Sequence, residues 1–114
     1  MFMKKFTLLS VAYALLIFIL SSMPSPPGAG VLPYNSSHFL LYFPFGALLY
    51  LAFRELRFDK KKAILYAIST ALVYAATDEL HQMFVPGRDA DVIDWFIDSF
   101  GSVVGVMVIK SRSK

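Results

Sequence analysis

The acidic residues of this chain are concentrated in one stretch, ATDELHQMFVPGRDADVIDWFIDS, residues 76–99. It holds Asp78, Glu79, His81, Gln82, Arg88, Asp89, Asp91, Asp94 and Asp98, which include six of the eight acids and one of the two histidines. Asp78 or Glu79 beside His81 offers a carboxylate–imidazole pair for general-base work. Arg88 could grip a phosphate or carboxylate with two parallel N–H bonds. Asp94 could orient either the histidine or the arginine. His38, His81 and one or two carboxylates could also hold a divalent metal such as zinc, although the spacing is not the H-E-x-x-H of a zinc helix. No other cofactor is expected, and no metal ligand is assigned.

What these groups can do depends on the surrounding solvent. The chain has 114 residues, room for one domain, and is 57% hydrophobic and 16% aromatic. Soluble domains sit near about 45–50% apolar, so the excess points to a bilayer. Mean hydropathy is +0.60. There is no cysteine, which excludes disulfides, a thiol nucleophile and a thiolate metal site. A net charge of +3 would weakly suggest nucleic acid in a soluble protein. Here the charges are segregated, and membrane lipids are the expected partner instead.

A bilayer-crossing helix needs about 20 mostly apolar residues. Four such runs are readable, at about 6–23, 37–54, 63–84 and 92–110. The first ends at PSPPG, where proline cannot continue a helix. The first run also resembles a signal peptide, with Lys4 and Lys5 ahead of an apolar core and GAG as a poor cleavage site. Cleavage there would leave three spans. Ten of the eleven basic residues lie before the first run, between the second and third, or after the fourth. Cytoplasmic loops carry the excess of Lys and Arg. The expected fold is therefore an all-α, integral membrane four-helix bundle with both termini cytoplasmic. Only Arg88 among the basic residues lies in an outer loop.

This arrangement brings distant residues to one depth. His38 begins the second helix, Asp78, Glu79, His81 and Gln82 end the third, and Asp94 and Asp98 begin the fourth, with Asp98 the deepest. Asp94, Asp98, Gly101 and Gly105 share one helical face, carrying two carboxylates and a G-x-x-x-G that permits close helix approach. Thr70, Tyr74, Asp78 and His81 form a second stripe, and His38, Tyr42 and Gly46 a third. A carboxylate at the bilayer centre costs ~2.5–3.5 kcal/mol, so all three stripes are expected to face inward.

DELHQMFVPGRDADVIDWFIDSFGSVVG resembles the VanZ-like family, small membrane proteins associated with low-level resistance to the glycopeptide teicoplanin. The family pattern D-E-x-H-Q-x-F-x-P-x-R, then an aspartate and G-x-x-x-G, falls on Asp78, Glu79, His81, Gln82, Phe84, Pro86, Arg88, Asp94, Gly101 and Gly105. FILSSMP is similar to the family's first-helix ending. HFLLYFPFG is similar to its second-helix motif, which carries over His38 and Tyr42. The resemblance departs at Tyr34 and Asn35, where the family often has Asp-Lys, and at Asp98, where it usually has asparagine. Any role resting on that lysine does not transfer, and the site is more acidic than the family norm.

Three functions fit these residues. The first is an enzyme at the outer leaflet working on a lipid-linked or cell-wall-related substrate, with Asp78, Glu79, His81 and Asp94 catalytic and His38, Tyr42, Gln82, Arg88 and Asp98 binding. The second is an accessory protein that binds such a ligand, or another small molecule, without turnover. The third is an ion-coupled transporter, disfavoured because a single polar layer gives no path to the cytoplasm. The bland alternative is an internal salt-bridge network with Arg88 paired to Asp78 or Asp94. One arginine cannot neutralise six acids, and intramembrane ionisable groups mark functional sites by default. The Gly101/Gly105 pair reads as helix packing, Phe39, Phe43 and Trp95 as interface anchors, and Ser21 and Ser22 as bonding back to their own helix.

Overall fold

The computed structural model describes residues 4–22, 34–85 and 92–112; for residues 34–38 it describes the backbone alone. The described chain forms four α-helices: α1 (Lys5–Ser21), α2 (Tyr34–Glu55), α3 (Lys60–Gln82) and α4 (Val92–Arg112). No strand occurs among the described residues. The boundaries lie close to the expected ones, with α2 and α3 each beginning three residues earlier than their hydropathy suggests. Polar residues such as Asn35, Ser36 and the three lysines at 60–62 carry little hydropathy signal, but they extend a helix without strain. Helices α3 and α4 are each long and apolar enough to cross a membrane, and α1 is a shorter apolar helix.

Successive helices alternate in direction. At one end of the bundle, Glu55 at the close of α2 accepts from the backbone amides of Phe6 and Thr7 at the start of α1, at 2.7 and 3.3 Å. Helix starts leave amides without intrahelical partners. Lys4 at the N-cap supplies no side-chain bond, so Glu55 does this work from a different helix. At the other end, Ser22 after α1 meets His81 near the close of α3. Helix α1 is thus tied into the bundle along its whole length. The Tyr13 hydroxyl donates to the Leu41 carbonyl, the Tyr74 hydroxyl donates to the Ala14 carbonyl, and Ile17 is fully buried.

The α2–α3 turn is coded locally. Arg57 has φ 74°, Arg57 N–H bonds Arg54 O, and Phe58 N–H bonds Phe53 O. This is a left-handed helix stop with its two characteristic backbone bonds. The Phe53 and Phe58 rings meet edge-on at 5.9 Å, the apolar contact that accompanies such a stop. Asp59 then caps α3 by accepting from Lys62 N–H at 2.8 Å.

Helices α2 and α4 meet at small residues. A Cβ on Gly101 would sit 2.8 Å from the Phe39 carbonyl oxygen. One on Gly105 would strike the Phe43 carbonyl, and one on Gly46 the Ser102 carbonyl. Only glycine permits this backbone approach. Helix α3 offers its own stripe, Ala63, Ala67, Ala71 and Ala75, all fully buried. That stripe displaces the expected one. Thr70 is exposed and Tyr74 half-buried, because four alanines at i, i+4, i+8 and i+12 let the neighbours come closer than a Thr–Tyr face would.

Pro44 interrupts α2 and lacks the amide that would bond the Leu40 carbonyl. The helix continues through it, and the Tyr13 hydroxyl supplies a donor at the next carbonyl, Leu41. The finished bundle is apolar without, and within it polar residues lie beside an apolar core that includes Ile17, Phe45, Tyr50 and Val106. Leu8, Leu15, Val73, Phe96 and Phe100 are exposed, while Asp78, Asp94, Asp98, Ser99 and Ser102 are buried.

Candidate functional site

The buried polar residues gather at the end of the bundle formed by the start of α2, the end of α3 and the start of α4. Their helices put them there. Asp78, Glu79 and Gln82 occupy the last turns of α3 and continue the line of its alanine stripe. Asp94 and Asp98 lie one turn apart on α4, above the glycines that seat that helix on α2. Gly101 and Gly105 bring α4 close against α2, and these side chains are withdrawn from solvent. Asp98 is 0%, Gln82 1% and Asp94 3% exposed, and Asp78 and Glu79 are buried as well.

Tyr42 joins the three helices. Its hydroxyl donates to Oδ2 of Asp78 at 2.8 Å, and both groups are buried. Asp98 on α4 also lies close enough to act on that hydroxyl electrostatically. Ser102, one turn beyond Asp98, donates to the Asp98 carbonyl at 3.1 Å and reaches the Tyr42 carbonyl at 3.4 Å. The second bond crosses from α4 to α2. Ser102 was not among the residues singled out by sequence. Its signal was available, since it is the next residue at i+4 along the Asp94–Asp98 face.

His81 takes a different direction from Asp78. It is half-buried and turns toward α1. Its Nε2 lies 2.9 Å from Ser22 Oγ, and its ring stacks on Phe18 with centroids 4.7 Å apart. Ser22 gives its one hydroxyl hydrogen to the Phe18 carbonyl of its own helix, as expected from sequence, which leaves its oxygen to accept from the ring. The imidazole thus stands at the border of the acidic cluster with a hydroxyl as its described neighbour. The contact from Ser22 had no signal in the sequence, because the two residues are 59 positions apart.

Trp95 and Phe39, read from sequence as interface anchors, also make contacts within the bundle. Trp95 is tied into the bundle, with its indole N–H donating to the Leu72 carbonyl of α3 at 3.0 Å. A half-buried indole needs such a partner. Phe39 packs against Phe43 and Phe100 at the α2–α4 crossing.

The remaining expected site residues fall outside what is described. The backbone of His38 is in α2, but its side chain is outside the described residues, as are Pro86, Arg88, Asp89 and Asp91. Among the described residues, no group of three or more His, Asp or Glu side chains could hold a metal ion. What the described cluster provides is a concentration of buried carboxylate oxygens at one end of an apolar-surfaced bundle.

No curated protein and no solved structure matches this chain. A family model does: that of VanZ/LLP1 matches residues 34–112, from the start of α2 through the end of α4, including the whole acidic cluster. The chain therefore belongs to the VanZ/LLP1 family.

Proposed function

We propose that this protein is a multi-pass integral membrane protein of the cytoplasmic membrane, with both termini cytoplasmic and its acidic end open to the extracytoplasmic surface. There it binds a lipid-linked or cell-wall-related ligand, in the setting of glycopeptide tolerance. The observation that carries this reading is the buried group Asp78, Glu79, Gln82, Asp94 and Asp98 around Tyr42, held at one end of a bundle whose exterior is apolar. Burying four carboxylates opposes folding. A protein that maintains them in its interior does so for a ligand or a reaction.

Charge supports the orientation. The basic residues Lys4, Lys5, Arg54, Arg57, Lys60, Lys61, Lys62, Lys110 and Arg112 lie at the end of the bundle opposite the acidic cluster. That basic end is the cytoplasmic one by the positive-inside rule. Arg88, in the loop between α3 and α4, is the single cation expected at the acidic end, where its guanidinium would take a phosphate or carboxylate. Asp78, Gln82, Asp98, Tyr42 and His38 complete the binding set.

One observation favours catalysis at the same site. His81 follows Asp78 by three positions, is half-buried at the border of the acidic cluster, and has its Nε2 within hydrogen-bond reach of a hydroxyl oxygen at 2.9 Å, so a polar group can approach the imidazole there. In that reading His81 is the general base, held in place by Ser22 and Phe18, and Asp78, Glu79 and Asp94 supply the negative charge of the cluster that it borders.

The experiment begins with sidedness. The protein has no cysteine, so Asp89→Cys introduces a unique thiol. It should react with a membrane-impermeant reagent on intact cells, and labelling confined to inverted vesicles would overturn the orientation. Function is read by complementation of glycopeptide tolerance. Asp78→Asn and Asp94→Asn should lose it, and full activity in both would reject the site. His81→Ala, folded but inactive, separates catalysis from binding.

A further inference from the structure

We infer that the ligand of this site carries a primary ammonium group, whose N–H donors are accepted by Gln82 and the carboxylates around it. The inference rests on the reading that this end of the bundle is a ligand site, and adds the chemistry of what enters. Its starting point is Gln82. The side chain is 1% exposed, yet its Oε1 has no hydrogen-bond partner among the described residues. Buried amide oxygens are nearly always bonded, so each exception asks for an explanation. Gln82 follows Asp78 by four residues and Glu79 by three, on the buried face of α3. Its amide is therefore directed into the acidic cluster.

The missing partner must be a donor. Among the described residues, the Tyr42 hydroxyl hydrogen is already given to Asp78 Oδ2. In their ionised form Asp78, Glu79, Asp94 and Asp98 bring acceptors and negative charge, and no donors. A group that suits this inventory brings several hydrogens and a positive charge together. A primary ammonium has three N–H donors and one charge on a small centre. A trimethylammonium has the same charge and no N–H. It would leave Gln82 Oε1 as it is, and its recognition uses aromatic faces rather than oxygens. An anionic headgroup would meet four carboxylates. Ammonium of this kind occurs on ethanolamine-type lipid headgroups and on amine-bearing peptides, and the chemistry at Gln82 is common to both.

The test uses the full chain in lipid nanodiscs, measuring binding and thermal stability. Matched lipids with ethanolamine and choline headgroups are compared, together with soluble methylammonium and tetramethylammonium. Hydrogen bonds to a charged group predict at least about tenfold tighter binding of the primary ammonium than of its methylated counterpart. Preference for the ethanolamine lipid alone identifies a lipid headgroup as the source. The same preference among the soluble ions points to a free amine.

Gln82→Met, close in volume and without the acceptor, should abolish the preference and leave the melting temperature equal or higher. A purely structural glutamine would lower stability on replacement and leave headgroup preference intact. The wild-type comparison stands if that variant does not fold. Equal binding of methylated and unmethylated probes, or binding of neither, overturns the ammonium inference. With Asp89→Cys still labelled from outside, those results leave the proposed sidedness standing.

Discussion

Tyr42 on α2 and Asp78 on α3 share a hydrogen bond of 2.8 Å in which both partners are buried. It links α2 to α3 at the acidic end through a side-chain donor and acceptor. Tyr42→Phe removes the donor and leaves the carboxylate in place. Hydrogen bonds to charged groups contribute about 1.5–3 kcal/mol, so a loss of that size is expected in unfolding measurements in detergent or nanodiscs. Asp78→Asn should cost less in the Tyr42→Phe background than alone, and a double-mutant cycle with no coupling would show that the contact is energetically idle.

The α2–α4 crossing should tolerate no added carbon. A methyl group on Gly105 or Gly46 would collide with the backbone of the facing helix, at Phe43 or Ser102. Overpacking of this kind costs typically about 1–3 kcal/mol. Gly105→Ala and Gly46→Ala are therefore expected to lower the melting temperature. Because the crossing seats Asp98 and Ser102, both variants should also weaken ligand binding.

Glu55 caps a helix to which it does not belong. Its carboxylate accepts from Phe6 and Thr7. Caps contribute about 1 kcal/mol, and a carboxylate gains further from the positive end of a helix. Glu55→Ala should loosen the start of α1 and speed hydrogen exchange at residues 6–8. Glu55→Gln retains an acceptor and should fall between the two. Unchanged exchange in the alanine variant would show that α1 is held by its apolar face and by Tyr13 and Tyr74 alone.

Arg57 sits at φ 74° in the stop that closes α2. Left-handed backbone costs a non-glycine residue roughly 1–2 kcal/mol. Arg57→Gly should therefore stabilise the protein by about 1 kcal/mol, a gain visible as a raised melting temperature. The neighbouring basic residues Arg54, Lys60, Lys61 and Lys62 remain to hold the topology.

Much of the architecture was legible because it is local. Four helices, their approximate limits and their order follow from apolar runs broken by PSPPG, by RFDKKK and by VPGRDAD. The face shared by Asp94, Asp98, Gly101 and Gly105 needed only the helical repeat, and all four are buried. Family membership was legible in the D-E-x-H-Q and P-G-R spacing.

The rotation of each helix was not local. Both the Thr70–Tyr74 stripe and the Ala63–Ala75 stripe of α3 were available to face inward. Close packing selected the alanines, because small residues let two backbones approach and gain dispersion along the whole contact. That choice left Thr70 exposed and carried Asp78 and Gln82 inward, while His81 turned to Ser22 and Phe18. The same distinction separates Glu55 as a charge in a cytoplasmic loop from Glu55 as the cap of α1. Composition and periodicity determined which segments become helices and which end of each is polar, since those depend on near neighbours and solvent. Which polar atoms meet, Tyr42 with Asp78 and His81 with Ser22, was decided only when four rigid cylinders packed against one another. Contacts between residues 36 and 59 positions apart are set by the fit of whole helix surfaces, which no single segment contains.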